Sequence, residues 1–357
     1  MLFKKKNNFI YIYIYSLVLI TFLTNFSTTN AFSKIYKVED ISVNEPYDLS
    51  FDKNSVIEKA FVHAFNKLLN KITLSKDISN FKNIKNLKVK ELVDSFIIVD
   101  EKFADNSYFA KFEVEFDKDK VLKFLDKKNV FSAIPQSKKI FILPILINIE
   151  ENKILMFSEN IFYKEWEKNK KSYFLIDYIL PNEDLEDIGI IQNKIETIEN
   201  YEFSEIVKKY NLDDYIILLV FKNDKKLRVL SKMNLNNNKK IITNLYNISL
   251  KDTKEVGATI LNLKKSYEDE WKKQNIINTS IKLTLKASLN SKSIETLNKF
   301  ENKLFNSDFV YEFNIERFTN DNTIYKIVYN NTPDKFLSEF KSYGFHVDTS
   351  NSIWEIK

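Results

Sequence analysis

Cysteine is absent from the chain, and glycine and histidine are nearly so: three glycines and two histidines stand among 357 residues, with five prolines. Without cysteine there is no disulfide, no thiolate metal centre, no cysteine nucleophile and no lipid-modified N-terminal cysteine, so the fold must hold by packing alone. The scarcity of glycine removes a second group of activities. Phosphate-cradling loops and dinucleotide fingerprints need clustered glycines for close backbone approach, and the nucleophile elbow of serine hydrolases needs one on each side of the serine. Gly189, Gly257 and Gly344 are isolated, and no serine is bracketed in that way. An excess of one charge is missing too. The formal charge is +5, but Lys4, Lys5 and Lys6 precede a leading apolar run, and setting them aside leaves 51 basic against 49 acidic residues. A nucleic-acid binder concentrates a basic excess on one element, because phosphate neutralisation supplies most of its affinity. No nucleic-acid partner is therefore expected.

What is present describes a folded, exported protein. With 44% hydrophobic, 14% aromatic and 29% charged residues the chain reads as globular, and its length allows two or three domains with cores of their own. Lys4 to Lys6 form a positive start, Phe9 to Phe26 an apolar stretch, and Ser27 to Ala31 a small, polar one. Thr29 and Ala31 occupy positions minus three and minus one of a cut between Ala31 and Phe32, so residues 1–31 are expected to be a removable secretion signal. The alternative is an uncleaved inner-membrane anchor, since some 18 apolar residues approach the lower length of a membrane span. Both readings put the remainder outside the cytoplasm, in the periplasm of a bacterium, with the membrane reached only through that segment.

Periodicity predicts an α+β (mixed α/β) chain of three small sandwich-like domains, over residues 32–131, 138–275 and 281–357. In the first, a strand at Ile35–Val43 precedes a helix whose apolar residues from Val56 to Ile72 recur at helical spacing behind a Ser55–Glu58 capping box. A hairpin over Phe96–Phe103 and Tyr108–Phe116 turns at Ala104-Asp105-Asn106, and a short helix follows at Lys118–Lys127. The second opens on Ile140–Ile147, a near-continuous apolar run that marks a strand buried on both faces. It continues to an expected order βαβαβββα, ending in a helix from Asp252 that carries Val256, Ile260, Leu263, Tyr267 and Trp271 on one stripe. The third reads as a ferredoxin-like βαββαβ plan, with Ser291 capping one helix and Thr332-Pro333 starting another that Gly344 ends.

The run Ala60–Leu69, its continuation Lys71-Ile72-Thr73 and the strand Phe112–Phe116 resemble the family of exported proteobacterial proteins catalogued as domain of unknown function 2066, over about residues 32–250. The stretch Phe141–Ile147 and the order of elements around it are similar to the N-terminal domain of the translocation protein TolB and to periplasmic domains of curli-secretion and penicillin-binding-protein activator lipoproteins. The first resemblance carries no established activity; the second implies assembly and partner binding rather than catalysis. The chain departs from the lipoproteins in lacking cysteine and from TolB in lacking propeller repeats.

Few residues invite chemistry. His63 falls on the polar face of its helix and reads as a solvated surface residue, while His346 follows the Gly344 cap without a nearby partner; two scattered histidines fall short of a zinc or non-haem iron set. Glu183, Asp184, Glu186 and Asp187 are the densest carboxylates and the place where acid and base catalysis would sit. They lack the spacing of a calcium loop, and acidic residues at a helix start are favoured by the backbone dipole. Trp271 belongs to a helical stripe; Trp166 and Trp354 are open to a core or a partner-binding role. On Phe309–Phe318 the apolar Phe309, Tyr311, Phe313 and Ile315 share one face and Glu312, Asn314 and Glu316 the other, an acidic face that would repel phosphate. The expectation is a non-enzymatic envelope protein without metal or cofactor that binds another envelope protein; the alternative is a carboxylate-dependent hydrolase of cell-wall or exported substrates, and a third reading is a small-molecule or lipid carrier.

Overall fold

A computed structural model describes residues 35–224, 226–277, 282–290 and 293–357, with the backbone alone at Ile35. The expected leader, its cut between Ala31 and Phe32, and the expected cap Ser291 lie outside these residues. Residues 35–357 form one unit of mixed α/β architecture in which helices are interspersed with several sheets.

The first sheet is antiparallel, in the order β1 (Ile35–Pro46), β3 (Ser107–Asp117), β2 (Val93–Ala104). Helix α1 (Lys53–Ile72) closes its apolar side, burying Ala60, Ala64, Phe65 and Leu68 in one cluster with Val38, Phe112 and Val114. The helix is capped three residues ahead of the expected Ser55. Asp52 is the cap instead, accepting from the amides of Asn54 and Ser55 at 3.0 and 3.1 Å, because a carboxylate there reaches the first unpaired helix amides. A 3-10 turn at Ser75–Phe81 and the short helix α2 (Asn86–Lys90) were not expected; helix α3 (Lys118–Asp126) was.

The β2–β3 hairpin turns through Asp105 and Asn106 at φ 49° and 54°, the two positive values that a two-residue mirror-image turn requires. The same chemistry recurs along the chain. Among the described residues ten non-glycine positions have positive φ, and nine are Asn or Asp. Their short polar side chains tolerate the left-handed region, which is how a chain with three glycines makes its tight turns.

The middle sheet runs β10 (Asn238–Asn247), β9 (Lys226–Leu235), β8 (Tyr215–Asn223), β5 (Lys138–Asn148), with both β6 (Lys153–Leu155) and β7 (Ile176–Ile179) on the far side of β5. Strand β5 is covered on both faces. Ile140, Ile142 and Leu146 enter a cluster with α4 (Ile161–Trp166) and α7 (Thr253–Gln274), while Phe141, Leu143 and Ile145 enter another with α5 (Leu185–Gln192) and α6 (Ser204–Lys208). Pro144 sits mid-strand without harm. Pairing with β7 ends at Phe141 and pairing with β6 starts at Leu146, and in the gap the Pro144 carbonyl accepts from Asn160 Nδ2 at 3.0 Å. In a strand the N–H and C=O of one residue point the same way, so the missing N–H faces that gap and costs no ladder bond. The expected order βαβαβββα lacked β6 and α5, the first only three residues long and the second opening on acidic residues.

A two-residue pair joins β4 (Ser132–Ala133) to β11 (Ile276–Ile277). The last sheet runs β13 (Val310–Phe318), β14 (Asn322–Tyr329), β12 (Leu283–Asn290), β16 (Trp354–Ile356), β15 (Val347–Asp348), packed against α8 (Ile294–Asn306) and α9 (Pro333–Ser342). Ser293 caps α8 through the Thr296 amide, and Gly344 leaves α9 at φ 86°. The single final strand expected here is two short ones. Strand β16 inserts parallel to β12, and β15 pairs outside it in the opposite sense.

Candidate functional site

The densest carboxylates gather around a cation. Lys209, at the end of α6, pairs with Asp187 at 2.7 Å, Asp184 at 3.0 Å and Glu186 at 3.3 Å. Three of the acids also have a structural setting. Asp184 caps α5 through the Glu186 amide at 2.8 Å; Asp187 is buried beneath the lysine; Glu183 accepts the Ser158 amide at 2.9 Å, next to Phe157, a buried residue at φ 47°. Lys209 holds Asp184 below the ordinary carboxylate range, and Ser158 does the same for Glu183. Asp187 and Asp184 in turn push the Lys209 ammonium up. A general acid needs the opposite shift, a carboxyl raised toward neutrality. His63 and His346 are both exposed, one on α1 and the other before β15, where its backbone pairs with that of Lys357. Among the described residues no group of three or more His, Asp or Glu is placed to hold a metal. Trp166 and Trp271 are core residues; Trp354 is half-buried, edge-on to Phe336 at 5.8 Å.

Three further buried charges lie together on α7, where spacing alone had not singled them out. Lys264, Glu268 and Lys272 are four residues apart, hence on one face, and all three are buried. Each meets backbone. Lys264 Nζ donates to the carbonyls of Trp166 and Asn169 at 2.7 and 2.9 Å, closing the C-terminal end of α4. Glu268 accepts from the amides of Leu175 and Ile176 at 2.8–3.0 Å, which fixes the start of β7. Lys272 donates to the carbonyls of Asn70 and Thr73 at the end of α1. The helix thereby ties the first sheet's cover to the middle sheet. Burial raises Glu268 and lowers Lys272. It also lowers Lys264 to about 8, helped by Lys170 and opposed by Glu167 and Glu268.

That shift has a sign. Between about pH 8 and the ordinary lysine value near 10.5 the unfolded chain keeps a proton on residue 264 that the folded chain has released, so stability rises with pH there. The buried phenols of Tyr178 and Tyr267, held above their usual value, pull the other way only as pH passes 10. Urea unfolding at pH 8 and pH 9.5 should show the gain in the wild type and a smaller gain in Lys264→Met, where the lowered Lys272 still contributes; equal slopes in both would contradict the assignment.

Sheet edges carry most of the exposed apolar surface. Of sixteen large hydrophobic residues exposed among those described, nine lie on β2, β10 and β13, each the terminal strand of its sheet. Bare edges invite pairing with another chain, and bulges are one way to prevent it. Strand β2 has two register breaks against β3, and β13 has two against β14. The breaks in β13 and its edge position leave Tyr311 and Ile315 exposed, while Phe309 and Phe313 pack against the core. Strand β10 has none: it pairs with β9 in unbroken register from Asn238 to Asn247. Its Ile242 and Tyr246 pack into the core, while Ile241, Thr243 and Leu245 alternate on the exposed face, Leu245 78% accessible. No family model, curated protein or solved structure matches the chain.

Proposed function

We propose that this chain is a non-enzymatic accessory protein of the bacterial cell envelope, exported to the periplasm, that binds an envelope protein by taking an extended segment of it onto the free edge of β10. The observation that carries the reading is that edge: ten residues in unbroken register, no bulge, and an exposed face of alternate side chains, Ile241, Thr243 and Leu245. Strand addition draws affinity from main-chain hydrogen bonds and specificity from alternate side chains, and β10 offers both. The three-part pattern of residues 1–31 supports export, and the near balance of charge in the rest supports a protein partner over nucleic acid. On this reading residues 32–131, 138–275 and 281–357 are three small domains, the last a ferredoxin-like βαββαβ unit with its final strand doubled. The structural tasks of Glu183 and Asp184 and the pairing of Asp187 with Lys209 count against the hydrolase alternative.

Replacing Ile241 and Leu245 together by lysine should lower capture of the partner from cross-linked envelope fractions by roughly tenfold or more. Both side chains are exposed, so the thermal midpoint should stay put. Undiminished capture by the double variant would refute the β10 edge.

A further inference from the structure

Beside Lys264, between α4 and β7, lies a cleft of about 310 Å³. That is the small end of the range of roughly 300–1,000 Å³ typical of small-molecule sites. Its inner wall is apolar and aromatic: Trp166, Phe174, Ile176 and Tyr178, the two larger rings edge to face with centres 5.4 Å apart. Lys264 Nζ stands 5.0 and 5.1 Å from the centres of those rings. The polar atoms here are donors in excess. Two of the three ammonium N–H groups of Lys264 go to the carbonyls of Trp166 and Asn169, which leaves the third over and the buried cation without a carboxylate partner among the described residues. Trp166 Nε1 and Tyr178 Oη are buried with no hydrogen-bond partner, although buried polar groups are as a rule satisfied. Exposed Glu167 and Asp177 stand at the mouth, Asp177 paired with Lys170 at 3.4 Å.

We propose that the cleft binds a small carboxylic acid with a flat apolar body and a single negative charge. Its carboxylate takes the remaining Lys264 N–H, and its body lies against Phe174 and Ile176. Donors without acceptors select an anion; the two carboxylates at the mouth repel a second negative charge; the aromatic wall selects a planar body. This site is separate from the β10 edge and uses none of its residues, so either reading can fail without the other.

The test is calorimetric titration of the full chain with phenylacetate and with indole-3-acetate, using neutral indole and inorganic phosphate as controls. The expected result is saturable one-to-one binding of the two acids with Kd below about 1 mM, at least tenfold weaker binding of indole, and none of phosphate. In Lys264→Met, affinity for the acids should fall at least tenfold. Because that variant also loses the cap on α4, the wild type supplies a second readout: affinity for phenylacetate should decline as pH rises from 7.5 to 9.5, where Lys264 gives up its charge. The proposal is overturned if neither acid binds, if indole binds as well as its acid, or if affinity is flat across that pH range.

Discussion

Truncating Trp271 to alanine should lower the free energy of unfolding by about 3–5 kcal/mol, the cost of removing a large aromatic side chain from a packed core. The side chain is 1% exposed and lies in the cluster that α7 shares with the middle sheet. Its indole N–H also donates to the Gln136 carbonyl at 2.7 Å, so the ring pins the segment that leads into β5. Beside it the Ile134 amide donates to the Asn275 carbonyl and β4 pairs with β11, so one substitution loosens several links at the same place. Limited proteolysis should show new cleavage near Pro135 before the rest of the chain is cut. Truncating the half-buried Trp354 should cost less than half as much. A loss below about 1 kcal/mol at position 271 would mean that the helix does not anchor this junction.

Glu268→Ala should destabilise by about 3 kcal/mol or more, because two buried amides, those of Leu175 and Ile176, lose their only acceptor there. Glu268→Gln keeps one carbonyl oxygen for them and should cost less. The pH dependence separates the two effects. Burial raises the folded-state value of Glu268, so its contribution to stability is complete below its ordinary value near 4.5 and is lost as pH rises through the raised one. The deficit of the glutamine variant should therefore be larger at pH 4 than at pH 7, as read by urea unfolding. A deficit that grows with pH would show that the carboxylate is favoured in its charged form.

Much of the frame was legible because burial leaves a period in the residues. The run Ile140–Ile147 reads as a doubly covered strand and is one; the stripes of α1 and α7 and the Asp105-Asn106 turn follow from spacing and turn chemistry. Elements too short to show a period were missed, β6 among them. The doubling of the last strand was also hidden, because two or three residues give no signal of the strand they will pair with. The candidate sites were less legible still. Four carboxylates in a row are visible, but Lys209, which gathers three of them, comes 22 residues after Asp187. Lys264, Glu268 and Lys272 look like a solvated face until topology brings the ends of α4 and α1 and the start of β7 against it. The β10 edge depends on strand order, which alternation within one strand does not reveal.

The edge itself is open to the most direct measurement. A photo-crosslinking residue placed in turn at positions 245 of β10, 99 of β2 and 63 on the outer face of α1 would be activated in intact cells. The account predicts one discrete adduct with an envelope polypeptide from position 245 and none from position 63. No adduct from β10, or the same set of products from all three positions, would contradict it.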